Sequence, residues 1–391
     1  MSEVVIVSAV RTPMGGFLGS LSGLSAVELG AAAIREAVSR AGIEPAAVQE
    51  AIMGCVLAAG LKQGPARQAA LDAGLPASTG CTTVNKLCGS GMKAVMLAHD
   101  LLQADTDQVL LAGGMESMSN APYLLERARL GLRLGNAGLR DHLFLDGLED
   151  ARSGRLMGEF AQEAADRYGI ARTAMDTYAF GSLQRAKAAI ADGSLAAEIV
   201  PLTVRTRQGE VRVTDDEQPL GADPARIPEI EPAFRPDGSI TAANSSPMAD
   251  GASALLLMTA EEARRRGLQP LARIVGHATQ SQEPADFTIA PVGAIEKLLR
   301  KIGWNKNLVD LYEINEAFAM VAILAIRCHG LDYSRVNVFG GACAQGHPLG
   351  SSGARIIVTL LNALRQTGGA RGIASLCIGG GEATAVALEL L

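Results

Sequence analysis

Three short strings hold the residues best suited to chemistry. In NVFGGACAQGHPLGSSGAR, residues 337–355, a single histidine, His347, is set among glycines just before an apolar run that continues as a helix. Glycine opens backbone conformations closed to other residues and lets a ligand approach the main chain. In VNKLCGSGMKA, residues 84–94, Cys88 lies at a tight turn opening a helix. Free N–H groups and the positive dipole end there favour a thiolate. In CIGGG, residues 377–381, Cys377 closes a late strand. Taken singly, each has a plainer account: an incidental His on a surface loop, or a thiol packed as a small hydrophobe.

These residues need a scaffold, and the repeat in the chain describes one. Residues 4–10, 48–56, 82–85 and 108–112 read as strands, with helices over 26–41 and after Cys88. The order recurs late: strands at 271–276, 308–314, 335–339 and 372–378, with helices over 292–302 and after His347. SGMKAVML (90–97) aligns with SGARIIVT (352–359). Alternating strands and helices imply parallel sheets covered on both sides, with ligand sites at loops beyond the strand ends. Glycine runs 113–114 and 379–381 read as strand stops. Cys88 and His347 then fall at matching turns of the two halves. Residues 119–241 break the pattern and read as a cap over the site, carrying helical pieces at 158–168 and 171–190.

Composition narrows the function classes. The 391 residues allow two or three domains, and 48% hydrophobic against 19% charged residues supports a large core. A net charge of −6 and 4% aromatics argue against a nucleic-acid surface. No apolar run has the length of a membrane span, and the N-terminus reads as a first strand, not a signal peptide. None of the six cysteines forms a C-x-x-C pair, which excludes zinc ribbons. Free thiols suit a reducing cytoplasm.

Together the strings around Cys88, NEAFA (315–319), the glycine-rich string around His347 and CIGGG resemble the thiolase family, in order and at compatible spacing. The resemblance covers essentially the whole chain. It implies an α/β fold of five layers, αβαβα, built from two repeated halves with an inserted loop domain. The divisions would be 1–118 plus 242–270, 119–241, and 271–391. It implies an acyltransferase joining two acetyl-CoA into acetoacetyl-CoA and CoA, reversibly. Cys88 would carry the acyl group, His347 would accept its proton, and Cys377 would move the α-proton. One oxyanion hole would use His347 and a water held by Asn315. The other would use the N–H groups of Cys88 and Gly379. Leu148, Met157, Ser246, Ala317 and Phe318 match positions that line the pantetheine channel.

The resemblance implies no metal and no resident cofactor, since CoA is substrate and product. It implies a homo-oligomer, a dimer or dimer of dimers, with no nucleic-acid or membrane partner. Leu156 and Leu220 depart from the His and Arg often found there, and Cys343 and Gln345 also vary the usual string. A longer-chain 3-oxoacyl-CoA thiolase and a non-catalytic CoA- or lipid-binding protein of the same fold are the rival readings. His99, His142, His277 and His329 carry no supporting motif and read as structural or surface.

Overall fold

The computed structural model describes residues 2–207 and 209–391. Strand β1 (Val4–Arg11) leads to helix α1 (Ala26–Ala41). Ser25 and Glu28 cap the start of α1 reciprocally, and Gly42 ends it at φ 67°. Next come β2 (Glu50–Gly54), α2 (Pro65–Asp72), β3 (Gly80–Val84), α3 (Ser90–Ala104) and β4 (Leu110–Ser117). An inserted stretch carries α4 (Met157–Arg167) and α5 (Arg172–Ala191) before the chain returns as β5 (Ala249–Thr259). The second half runs β6 (Ala272–Ser281), α6 (Ala290–Ile302), β7 (Leu311–Ile314), α7 (Ala319–His329), α8 (Leu349–Thr367), β8 (Arg371–Ile378) and β9 (Glu382–Leu390).

The halves share one topology. In the first, β2 lies parallel between β3 and β4, and β4, β5 and β1 follow antiparallel. In the second, β7 pairs parallel with β8, and β8, β9 and β6 follow antiparallel. The halves meet edge to edge where Val5 and Ile6 of β1 pair with Arg273 and Ala272 of β6. Each half is therefore mixed, not parallel as the alternation of elements suggested. The physical reason is local for β8 and β9. A tight turn with Gly380 and Gly381 at φ 81° and 88° joins them, and a turn that short can only return the chain antiparallel.

Helices α1 and α2 cover one outer face, and α6 and α7 cover the other. Between the half-sheets lie α3 and α8, which gives five layers. Helix α8 touches strands of both halves and is buried from Leu349 to Leu364. Small residues allow it: a Cβ on Gly114 of β4 would lie 1.9 Å from the Gly350 carbonyl oxygen. Gly113 and Gly114 thus mark close backbone approach, and the strand expected to stop there runs on to Ser117.

Residues 335–339 do not form a strand. Only Val336 bridges, to Tyr312 of β7. Asn337 turns to φ 49°, and its side-chain amide takes over the strand's hydrogen bonds. Its Oδ1 accepts from Ile314 N–H at 2.8 Å and its Nδ2 donates to the Ile314 carbonyl at 2.8 Å.

The insertion is anchored by buried charge. Arg11, fully buried on β1, donates through Nε to Glu198 at 2.5 Å and through Nη1 and Nη2 to Asp216 at 2.7 and 2.9 Å. Removing one partner of such a set costs about 3–5 kcal/mol. Phe160, Ala164 and Tyr178 of α4 and α5 enter the same apolar core as Phe318 and Met320 of the second half.

Candidate active site

The turn before α3 holds Cys88 out of the helix. Leu87 adopts φ 49°, a left-handed conformation that costs about 1–3 kcal/mol in a non-glycine residue. Ser90 stabilises it: its Oγ donates to the Leu87 carbonyl at 2.6 Å and accepts from Lys86 N–H at 2.8 Å. Lys86 Nζ reaches Glu382 at 2.5 Å, tying this turn to the β8–β9 hairpin that carries Cys377 and Gly379. His347 stands between the short helix Ala342–Gln345 and α8, its N–H donating to the Pro247 carbonyl at 3.0 Å.

These turns meet at one cavity of about 440 Å³, lined by Cys88, His347, Cys377 and Gly379. Leu148 and Met157 come from the insertion, and Ser246, Ala317 and Phe318 complete the part of the wall read from the sequence. The Ser246 hydroxyl donates to the Ala317 carbonyl at 3.1 Å, which pins two of those positions together. Leu156 is also in the wall, whereas Leu220 is 61% exposed and outside it. Asn315 is not in the wall. It lies buried just past β7 with Nδ2 lacking a partner among the described residues, and its Oδ1 accepts from Arg355 Nη2 at 3.3 Å.

The electrostatics correct one expectation. Burial pushes the Cys88 thiol up to about 11, and the N–H groups of Gly379 and of Cys88 itself only partly offset this. Desolvation outweighs the helix start, so the resting group is a thiol. Burial, with the Arg355 charge behind it, pulls His347 down to about 3, so its ring is neutral. Burial also pushes Cys377 above the ordinary thiol range, with Cys88 close enough to add to the effect. An aprotic-leaning pocket with two thiols, a neutral imidazole and two convergent N–H donors suits acyl transfer and proton transfer at carbon.

Several residues behind the site carry no role in the sequence reading above. Glu116 of β4 accepts from the N–H groups of Val56, Leu57 and Gly350 at 3.0, 3.1 and 2.8 Å, and burial raises it to about 7. It joins the loop after β2 to the first turn of α8. Arg355 of α8 is buried 3.7 Å from Glu313, which burial raises to about 8. Glu316 gathers Tyr178, Ser182, Asn337 and the Cys343 N–H at 2.7–3.1 Å. Cys343 therefore belongs to a packing network outside the cavity. The available signal was a charged residue inside an otherwise apolar run, Glu116 in LLAGGMES and Arg355 before IIVTLL.

His142 is structural, as read: Nδ1 contacts Asp146 at 2.6 Å and Nε2 accepts from Ala59 N–H at 3.4 Å. His329 Nε2 lies 3.1 Å from the Val292 carbonyl.

The thiolase N-terminal domain family matches residues 4–261, and the thiolase C-terminal domain family matches residues 268–390. The chain is 46% identical over 390 residues to acetyl-CoA acetyltransferase of Schizosaccharomyces pombe, covering 99% of each. It is 48% identical to acetyl-CoA acetyltransferase 2 of Arabidopsis thaliana, covering 100% of this chain and 97% of the relative. It is 46% identical to the mitochondrial acetyl-CoA acetyltransferase of Homo sapiens, covering 100% and 91%. Among solved structures, an Ascaris suum thiolase in complex with coenzyme A superposes with a TM-score of 0.94 at 41% identity over 100% of both chains. The acetyl-CoA acetyltransferase of Bacillus anthracis gives 0.96 at 41%, covering 100% of this chain and 99% of that one.

Proposed function

Because the chain belongs to the thiolase family, we propose that it is an acetyl-CoA C-acetyltransferase that condenses two acetyl-CoA to acetoacetyl-CoA and CoA, reversibly. The observation that carries this reading is the convergence of Cys88, His347, Cys377 and Gly379 on one cavity. His347 Nε2 takes the Cys88 proton as Sγ attacks the thioester carbonyl. The N–H groups of Cys88 and Gly379, which already meet at Sγ, receive the developing oxyanion. Each such donor is worth about 3 kcal/mol. His347 returns the proton to the departing CoA thiolate, leaving acetyl-Cys88.

In the second half-reaction His347 takes the Cys377 proton, and the Cys377 thiolate removes the α-proton of a second acetyl-CoA. The enolate oxygen is held by His347 and a water on Asn315 Nδ2, an amide without a partner among the described residues. The carbanion attacks acetyl-Cys88, the Cys88 thiolate leaves, and the imidazolium reprotonates it. All three groups end as they began.

The CoA arm runs along Leu148, Met157, Ser246, Ala317 and Phe318. The chain divides functionally into a first half (1–118 plus 242–270), a cap (119–241) that supplies part of the wall, and a second half (271–391). A short acyl chain suits a wall of Leu148, Met157 and Phe318, and the reaction belongs to acetyl-unit and fatty-acid metabolism. The protein works as a dimer or dimer of dimers, a reading supported by exposed leucines of the cap such as Leu130 and Leu134, at 74% and 99%. Its free cysteines suit a reducing compartment, the cytoplasm in this reading. Among the described residues no helix is long and apolar enough to cross a membrane.

The deciding experiment is thiolysis of 3-oxoacyl-CoAs of increasing chain length, with condensation of acetyl-CoA alongside. Turnover best on a long chain would make it a longer-chain thiolase. CoA binding without turnover would make it a non-catalytic binding protein.

A further inference from the structure

His99 and Asp100 are neighbours near the C-terminal end of α3, and His277 lies on β6. The three side chains therefore come from the two different halves. One carboxylate oxygen, Asp100 Oδ1, lies 3.1 Å from His99 Nδ1 and 2.8 Å from His277 Nε2. The rings stand edge to face at 5.0 Å between centroids. The three donor atoms all fall within 4.8 Å of one another. None of these residues lines the catalytic cavity, and no step above uses them.

A zinc-type ion bound at about 2.0–2.2 Å in tetrahedral geometry holds adjacent donors about 3.3 Å apart. The two contacts to Asp100 are a few tenths of an ångström shorter, so small side-chain rotations open the site. The imidazole side chains are 14% and 11% exposed while Asp100 is 52% exposed, so the two rings are held by packing and the open side is the carboxylate. That leaves an entry path and a solvent position for a fourth ligand. His99 Nε2 and His277 Nδ1 make no protein hydrogen bond among the described residues. Each ring can therefore carry its proton on that nitrogen and offer the one facing Asp100. The ion replaces two hydrogen bonds, and no proton, oxidant or reductant is needed.

We propose that His99, Asp100 and His277 form a binding site for a divalent cation of the zinc class, with water as fourth ligand. Two nitrogens and one carboxylate oxygen on a closed-shell tetrahedral ion are a zinc donor set, and cobalt and nickel follow as probes. The ion joins the far end of the helix that begins beside Cys88 to the edge strand of the other half. Its effect is on stability, because it binds only where both halves are in place.

The test uses the full chain, stripped by chelator and titrated with Co²⁺, then with Zn²⁺ during thermal unfolding. The expected result is saturable binding of one Co²⁺ per chain, with a visible spectrum lacking sulfur-to-metal charge transfer, and a Tm that rises with Zn²⁺ concentration. Asp100→Asn, on an exposed side chain, and His277→Gln should each weaken binding by about 10- to 100-fold or more. His99→Gln replaces the second if that variant does not fold. No saturable binding, a sulfur charge-transfer band that places the ion on the thiols, or wild-type affinity in Asp100→Asn overturns the proposal.

Discussion

Ser352 Oγ lies 2.5 Å from His347 Nδ1 and 2.9 Å from the Pro348 carbonyl oxygen. A hydroxyl has one proton, and the carbonyl can only accept, so that proton goes to Pro348. Ser352 must then accept from His347 Nδ1–H, which leaves the lone pair on Nε2, an atom with no hydrogen-bond partner among the described residues. The first turn of α8 thus sets the tautomer that a base needs.

It follows that Ser352→Ala should lower kcat with little change in KM. The loss should be on the order of tenfold or more, a part of the 10²–10⁴ that a positioned base contributes. Steady-state kinetics on a variant with an unchanged melting curve checks this. An unchanged kcat would show that the ring keeps its tautomer without Ser352.

Alkylation of Cys88 should report the buried thiol. Its pKa is pushed up to about 11, so the neutral form dominates below that pH. The iodoacetamide rate should climb about tenfold per pH unit from about pH 7 to about pH 10. A plateau near neutrality would mean that Cys88 rests as a thiolate paired with His347.

Cys377→Ala should still become acetylated on Cys88 by acetyl-CoA, as seen by intact mass. It should lose condensation and α-hydrogen exchange by about 10² or more. Cys88→Ala should not acetylate at all. Near-normal condensation in Cys377→Ala would defeat the two-thiol scheme.

Acetoacetyl-CoA should be the best 3-oxoacyl substrate or within about tenfold of it in kcat/KM, ~1.4 kcal/mol at the transition state. The wall of Leu148, Met157 and Phe318 motivates this. A hundredfold preference for a ten-carbon chain would refute it.

Gly114→Ala should destabilise the fold without touching a catalytic group. The added methyl meets a backbone carbonyl on α8, which cannot rotate away. A loss of about 1–3 kcal/mol or more is expected in urea unfolding. Wild-type stability would show that α8 can shift to make room.

The sequence made the moving parts of the site readable because Cys88 and His347 stand in glycine-marked turns and Cys377 stands in a strand just before one. Their environment was not readable. The helix start beside Cys88 is local, but the burial that overrides it comes from the insertion and the second half. Arg355 and Glu313 meet only through space. The misread strand at 335–339 has an alternating pattern, and nothing local says that the Asn337 side chain replaces a backbone partner. Gly113 and Gly114 read as a stop because close approach and chain reversal both call for glycine.

The position of α8 also orders the birth of the protein. Its apolar surface fills the space beneath β4 and β5, so the first half cannot complete its core until the chain has been made past residue 367. A nascent chain stalled near residue 330 would carry that uncovered face while synthesis proceeds at about 5–20 residues per second. Ribosome-bound intermediates of that length should be readily cut by protease and held by chaperones. Resistance should arrive only when α8 has left the exit tunnel, and a protected first half in the stalled chain would show that it folds alone.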